Sequence, residues 1–224
     1  MNRLFATIIS VCTFLSIAGC SVIGFGGAMM QANEDQKIVE KAAEYHLDGF
    51  KVAVVISTDL AIHYEHPIVS STIAEAVAGR IAQNVPGARV LNPNFVARWQ
   101  FETPQWSAMA STEIAKQLNV DRVIYIDLQE YRLTPPGNQF LWEGKSTAII
   151  GIIEADSYEQ DGFIETYHVE ATFPNRPSVL SREEASQNAI EAGLLNEFIK
   201  KTSWLFYLHK EPKHPDRYRP ELET

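Results

Sequence analysis

The sequence predicts an α/β fold, a two-layer sandwich in which helices pack on a mixed sheet. Segments rich in Val and Ile alternate with segments whose apolar residues recur every three to four positions. Two further strand-like segments flank a short acidic turn, and a long helical segment follows them. The predicted order is strand, helix, strand, helix, strand, a long hairpin and a C-terminal helix.

The first half of the predicted domain is a strand–helix–strand unit. Residues 50–57, FKVAVVIS, are nearly all apolar, as expected for a strand that is covered on both faces. Within residues 69–81 an apolar side chain recurs at every fourth position, which predicts a helix ending at the NVPG breaker of 84–87. Residues 88–93, ARVLNP, predict a short strand that proline stops.

Two helical pieces and the most strand-like segment of the chain come next. Residues 94–102 and 107–119 have helical composition and are separated by a Thr-Pro pair. Residues 120–133 are dense in Val, Ile, Tyr and Leu, which favour strands. These segments complete the predicted strand–helix–strand–helix–strand order.

A long hairpin and a final helix end the predicted domain. Residues 141–155 and 163–173 predict two strands joined by an acidic turn, the second with alternating apolar and polar positions. Ser181 and Glu184 then stand at the spacing of a capping box, which predicts a helix from Ser181 to about His209.

The N-terminal residues have the layout of a secretory signal. Arg3 is the only charged residue before residue 20, and residues 4–18 form an uncharged run shorter than a comfortable membrane span. Ile17-Ala18-Gly19-Cys20 follows and resembles the lipobox of bacterial lipoproteins, in which an aliphatic and two small residues precede cysteine. The resemblance implies that residues 1–19 are removed and that Cys20 carries lipid. A plain secretory signal or an uncleaved anchor is the alternative.

The number of cysteines supports lipidation. The other cysteine, Cys12, lies in the segment that would be removed, so the processed chain has one thiol and no internal disulfide. Two or three acyl chains on Cys20 would anchor the protein stably. Ser21, where some lipoproteins have Asp, resembles the default that sorts lipoproteins to the outer membrane. The expected location is therefore the periplasmic face of the outer membrane.

The rest of the chain divides into a tether, one domain and a tail. Residues 20–33 contain three glycines and no charge, which predicts a flexible tether. Residues 34–209 are predicted to form a single α/β domain that opens with a short helix after Asn33. Residues 210–224 are charged, punctuated by proline and expected to be loose.

The net charge of the chain argues against two classes of binding partner, nucleic acids and anionic lipids. The formal net charge is −9, and Lys200-Lys201 is the only adjacent pair of basic residues. Proteins that bind nucleic acid without sequence preference place many Lys and Arg side chains against phosphates. Nucleic acid is therefore not expected as a partner, and neither is electrostatic docking to anionic lipid.

No catalytic or metal-binding residue is predicted. His63 and His66 with Glu65 are the best metal candidate, but Pro67 follows directly, so a solvated loop is expected there. The chain has no Gly-x-Ser-x-Gly and no phosphate-binding glycine loop outside the tether. The predicted protein is not an enzyme and holds no cofactor.

Acidic and aromatic residues leave two other functions open, acid/base catalysis and binding of a ligand in an aromatic groove. Asp127 and Glu130 follow an apolar strand and could act as an acid/base pair, although such residues are more often solvent contacts or partners of arginine. Trp99 and Trp142 could line an aromatic groove that binds a small molecule or a glycan, because Trp is favoured in binding surfaces. Packing of both rings in the core is the alternative.

Several stretches resemble known envelope proteins. KVAVV (51–55), VLNP (90–93) and STEIAKQLNVDRVIYIDLQEY (111–131) resemble the α/β domains of the curli-secretion lipoprotein CsgG and of the TolB N-terminus. PGNQFLWEG and LFYLH resemble uncharacterised lipoproteins of planctomycete-type bacteria. The lipobox, the glycine-containing tether and the absence of a catalytic motif favour a non-enzymatic assembly, secretion or scaffolding component that contacts envelope proteins. A pore-forming subunit is the lesser alternative, because only the hairpin within 141–173 is long enough to insert.

Overall fold

The computed structural model describes residues 36–158, 161–175, 179–215 and 217–218. The predicted signal peptide, Cys20 and the predicted tether lie outside these residues. The strands are β1 (Ile38–Lys41), β2 (Lys51–Thr58), β3 (Arg89–Val90), β4 (Arg122–Arg132), β5 (Leu141–Trp142), β6 (Gly144–Glu154), β7 (Glu165–Phe173), β8 (Leu180–Ser181) and β9 (His209–Pro212). The helices are α1 (Leu60–Glu65), α2 (Val69–Asn84), α3 (Pro93–Glu102), α4 (Ser111–Gln117) and α5 (Gln187–Trp204), with a 3-10 turn at Trp106–Ala108.

The described residues form two compact units, one of which is a ribbon of β1 and β9. The two strands pair antiparallel, with Glu40 opposite Lys210. The ribbon differs from the helix predicted after Asn33 and from the loose tail predicted from residue 210. Ile38 and Val39 favour a strand, and the Lys210 Nζ to Glu40 Oε1 ion pair, 3.4 Å long, joins opposite charges across the ribbon.

The main unit, residues 43–207, is built on a mixed sheet. Its described strands have the order β3-β2-β4-β6-β7. β2 runs parallel to β3 and β4, whereas β4, β6 and β7 pair antiparallel. The predicted α/β class with a mixed sheet is confirmed, and so is the hairpin, in which Gly144 lies opposite Phe173.

Helices cover both faces of the β2 side of the sheet. Val52, Val54 and Ile56 belong to the hydrophobic cluster under α2 and α5, whereas Ala53 and Val55 belong to the cluster under α3 and α4. This double coverage explains why nearly every position of the strand is apolar. The cluster under α3 and α4 adds a helical layer to the predicted two-layer sandwich.

The start of β4 is fixed by a buried arginine. The Arg122 Nε donates to the Tyr45 hydroxyl at 3.0 Å, and its Nη1 donates to Asp156 Oδ1 at 2.9 Å. The Tyr45 hydroxyl donates in turn to Glu154 Oε1 at 2.6 Å. Burial, together with this hydrogen bond to Glu154, raises the pKa of Tyr45 to about 12. The Arg122 side chain thus joins the ends of β4 and β6 to the segment that precedes β2.

The second half of β4 carries charges on a face without a covering helix among the described residues. The Arg132 Nε lies 2.9 Å from Glu130 Oε1, and the Lys145 Nζ lies 3.4 Å from Glu130 Oε2. Partial burial acts to raise the pKa of Glu130, but the hydrogen bond from Arg132 and the charge of Lys145 hold it below its usual value. Glu130 is therefore a partner of arginine, and Asp127 accepts from Gln129 Nε2 at 3.3 Å.

The C-terminal helix begins later than the capping-box spacing predicts. Ser181 belongs to β8, which pairs with β5, so its backbone is extended. The Glu184 Oε2 accepts from the Ser181 backbone N–H at 2.7 Å and closes a turn instead of capping a helix. Ser186 is the N-cap of α5, because its Oγ accepts from the Ala189 N–H at 3.3 Å.

Close packing of α5 on β7 gives a test of this core. A Cβ on Gly193 would lie 2.4 Å from Cε1 and Cζ of Phe173, so the ring fits only against glycine. We expect Gly193→Ala to lower the free energy of unfolding by about 1–3 kcal/mol, measured by urea denaturation. Gly79→Ala on α2, where nothing lies within 4 Å of the added Cβ, is the control and should raise it by about 0.5–1 kcal/mol. Equal effects of the two changes would contradict this packing.

Candidate functional site

A groove opens beside the second half of β2. The strand β3 is two residues long, and its pairing with β2 joins Lys51 to Arg89 and Val52 to Val90. Farther along β2, α2 and α3 flank this edge and enclose a cavity of about 180 Å³. The residues that line it are Val54, Ile56, His63, Pro67, Ser70, Ser71, Ala74, Glu75, Pro93, Asn94, Val96, Ala97 and Gln100.

The position of the groove follows from the chain connections. The chain leaves β2 through α1 and α2 on one face and leaves β3 through α3 and α4 on the other. These helices pack on opposite faces, so beyond the end of the two-residue β3 they leave a space between them where a small ligand fits. The apolar floor of Val54 and Ile56 and the surrounding polar side chains have the composition expected of such a site.

The side chain of Gln100 on α3 hydrogen-bonds a backbone carbonyl at the open edge of β2. The Leu91 N–H donates to the Val52 carbonyl, so the carbonyls of alternate residues, including that of Ile56, face the same edge. The Gln100 Nε2 donates to the Ile56 carbonyl at 3.0 Å. A side chain of α3 thus supplies the hydrogen bond that a longer β3 would have made.

Four large apolar side chains that neighbour groove-lining residues in the chain are exposed to solvent. Leu60 is 73%, Tyr64 79%, Ile68 64% and Phe95 52% exposed. Leu60 and Tyr64 lie on α1, Ile68 is the N-cap residue of α2, and Phe95 follows Asn94 of the groove lining. We call these four the rim residues. The spacing of four between residues 60, 64 and 68 was the available sequence signal for three of them.

The two candidate metal ligands have different surroundings. The segment predicted as a loop is the helix α1, because Asp59 Oδ1 accepts from the Ile62 N–H at 2.7 Å and Ile62 is buried. His63 lines the groove, whereas the His66 ring packs edge-on against Tyr131, 4.8 Å between centroids. Within the described residues, no group of three or more His, Cys, Asp or Glu side chains is placed to hold a metal ion.

The two tryptophans predicted to share a groove lie in different clusters. Trp142 is 3% exposed in the cluster under α2 and α5, and its Nε1 donates to the Ala185 carbonyl at 2.8 Å. The prediction that Trp142 lines an open groove is therefore wrong, because its ring is buried in the hydrophobic core. Trp99 packs on the cluster under α3 and α4, and its Nε1 donates to Gln117 Oε1 at 3.2 Å.

Trp99 instead begins a row of aromatic rings that four separate segments supply. Ring centroids lie 6.3 Å apart from Trp99 to Trp106, 6.0 Å from Trp106 to Tyr125 and 5.3 Å from Tyr125 to Phe163. The Phe163 ring lies on Gly151, where a Cβ would approach it to 2.3 Å. A glycine inside an apolar strand was the sequence signal for this close approach.

The hydrogen bond from Gln100 gives a test of the groove. Gln100→Met keeps the length of the side chain and removes the donor to the Ile56 carbonyl. We expect the free energy of unfolding in urea to fall by about 0.5–1.5 kcal/mol. Gln83→Met on the exposed side of α2 is the matched control and should change it by less than about 0.5 kcal/mol. An unchanged stability of the Gln100 variant would show that the edge of β2 does not need this bond.

The described part of the chain includes no helix that is long and apolar enough to cross a membrane. No protein-family model and no curated protein matches the sequence. The resemblance to CsgG, to TolB and to planctomycete lipoproteins therefore stays a prediction.

Solved structures with a similar course of the chain come from several bacteria. The PelC dodecamer from Paraburkholderia phytofirmans has a TM-score of 0.44 at 10% identity, over 76% of this chain and 97% of that chain. Lipoprotein GNA1162 from Neisseria meningitidis has a TM-score of 0.42 at 10% identity, over 63% and 90% of the two chains. The hypothetical protein CT253 from Chlamydia trachomatis has a TM-score of 0.40 at 12% identity, over 70% and 96%. The structures similar to this chain thus include a bacterial lipoprotein.

Proposed function

We propose that this protein is a lipid-anchored envelope component that acts through contacts with other proteins, as an assembly, secretion or scaffolding part without catalysis. The observation that carries the proposal is the exposure of the four rim residues, which neighbour groove-lining residues in the chain. Grouped apolar side chains that remain in water mark surfaces that bind another protein or a membrane. Burying them on a partner would yield about 25 cal/mol for each Å² removed from water.

The sequence around Cys20 supports anchoring by lipid. The lipobox-like Ile17-Ala18-Gly19 precedes the cysteine, and the glycine-containing residues 20–33 follow it as a tether. The net charge of −9 disfavours attachment to anionic lipid by charge alone. Covalent acyl chains on Cys20, at the periplasmic face of the outer membrane, would supply the attachment that the charge does not.

A protein is the partner that best fits the rim residues. An apolar centre with polar groups near it is the usual composition of a protein interface. Ser71, Asn94 and Glu75 line the groove beside the rim and could orient such a partner. Glu130 is held in ion pairs with Arg132 and Lys145, which supports a structural rather than catalytic use of the acids.

Binding of a small molecule is the second candidate, because the cavity of about 180 Å³ combines an apolar floor with polar walls. Its size suits a compact ligand better than an extended glycan. Ala74→Trp would fill the groove and leave the rim residues in place. This variant separates the candidates, because it would abolish ligand binding and retain contacts made by the rim.

Lipidation of Cys20 is tested in a bacterium with two membranes that expresses the full chain. We expect labelled palmitate to be incorporated and the protein to sediment with outer membranes. Cys20→Ser should lose the label and no longer sediment with outer membranes, because no acyl chain can attach. Cys12→Ser, within the predicted signal, is the matched control and should keep both properties. Label retained on the Cys20 variant would contradict the proposed anchor.

The rim residues are tested by crosslinking in intact cells, with quantification of protein adducts. We expect the double variant Tyr64→Ser, Ile68→Ser to lower the yield of the principal adduct about tenfold, since exposed anchor residues carry most interface energy. The control is Phe140→Ser, which removes a side chain that is 81% exposed on the loop after β4. Equal yields from the rim variant and the wild type would show that the partner binds elsewhere, and a wild type without adducts would overturn the proposal.

A further inference from the structure

Among the described strands, β7 leaves a long edge of the main sheet without a partner. It has nine residues, it is last in the order β3-β2-β4-β6-β7, and no other strand of the described chain pairs with its outer edge. A free edge of this length presents a row of backbone donors and acceptors to solvent. Such an edge can continue a sheet into another chain.

The contacts of β7 show which residues face outward. The Phe173 carbonyl lies toward β6, 2.9 Å from the place of a Cβ on Gly144, whereas the Glu170 carbonyl accepts from Lys201 Nζ at 2.8 Å. Backbone groups of successive residues alternate between the two edges. The residues with backbone groups at the outer edge are therefore Thr166, His168, Glu170 and Thr172, and the side chains of all four are exposed.

We infer that this edge pairs antiparallel with the same edge of a second copy of the chain, with the two-fold axis at Val169. Like strands that pair about a two-fold axis oppose residues at equal distances on either side of it. An axis at Val169 brings His168 opposite Glu170 of the second copy, and Thr166 opposite Thr172. The two sheets then form one continuous sheet through hydrogen bonds between the outward backbone groups.

The side chains at the edge favour this register over the two registers shifted by one position of the axis. With the axis at Val169, an imidazole that can donate lies opposite a carboxylate that can accept, twice in each pair of chains. An axis at Glu170 would bring two carboxylates together, and an axis at His168 would bring two imidazoles together. Among the described residues, the ion-pair neighbour of the Glu170 carboxylate is Lys145, whose Nζ lies at a loose 3.9 Å, so the carboxylate is able to accept from a second copy.

Lys201 of α5 controls access to the edge. Its Nζ donates to the Glu170 carbonyl. In the paired sheet this carbonyl accepts from the His168 N–H of the second copy instead. Lysine at a free edge commonly opposes unwanted strand pairing. Pairing therefore requires both copies to release this bond, and Lys201→Ala should favour it.

The test is co-purification of two full chains that carry different tags and are expressed together in one cell, in excess detergent. His168→Glu puts two carboxylates opposite each other and should lower the co-purified fraction about fivefold. The double variant His168→Glu, Glu170→Lys again opposes unlike charges and should return the fraction to the wild-type level. Glu183→Lys, on the exposed turn before α5, is the charge control and should leave the fraction unchanged.

Lys201→Ala gives the second measurement and should raise the co-purified fraction about threefold, since no bond must be released. A double variant that stays as low as His168→Glu would overturn the register. Copies that do not co-purify even with Lys201→Ala would overturn the pairing itself. Because the rim residues belong to α1, the N-cap of α2 and α3, the crosslinked partner of the proposed function is an independent result. Either result can fail without the other.

Discussion

The position of β4 between β2 and β6 determines how most of the main unit is connected. Its register with β2 is parallel, which requires the chain to return over the sheet through helices, and its register with β6 is antiparallel, which a hairpin satisfies. Arg122 fixes the beginning of this strand, because its guanidinium is buried among Tyr45, Glu154 and Asp156. A buried cation needs such partners, so the three segments that provide them must meet there.

Parallel and antiparallel pairing give the two sides of the sheet different surfaces. Around β2, helices on both faces exclude water, and nearly every strand position is apolar. Around β6 and β7, one face carries Lys145, Thr147 and Glu170 toward solvent while the other packs under α5. Because β3 is too short to cover β2, the parallel side ends in a groove that α2, α3 and Gln100 close.

The proposed contacts use the two opposite margins of this sheet. The groove borders β2, and the rim residues neighbour its lining in the chain. The edge that we infer to pair with a second copy belongs to β7. In the order of the strands, β4 and β6 lie between them. A partner protein and a second copy could therefore bind at once, which suits the assembly role that we propose.

The sequence by itself determined the elements whose signals are local. The four-residue apolar repeat predicts α2 at Val69–Asn84, and the alternating segment predicts the hairpin, because periodicity reports which side of an element is buried. It also carries the lipobox-like motif at Cys20, whose chemistry needs no fold. Tertiary structure decided what depends on a distant partner. Ser181 joins a strand because β5 lies beside it, and Trp142 is buried while Trp99 stays partly open because different helices cover them. The groove, too, exists only because two helices meet where a two-residue strand stops, and no window of sequence contains both.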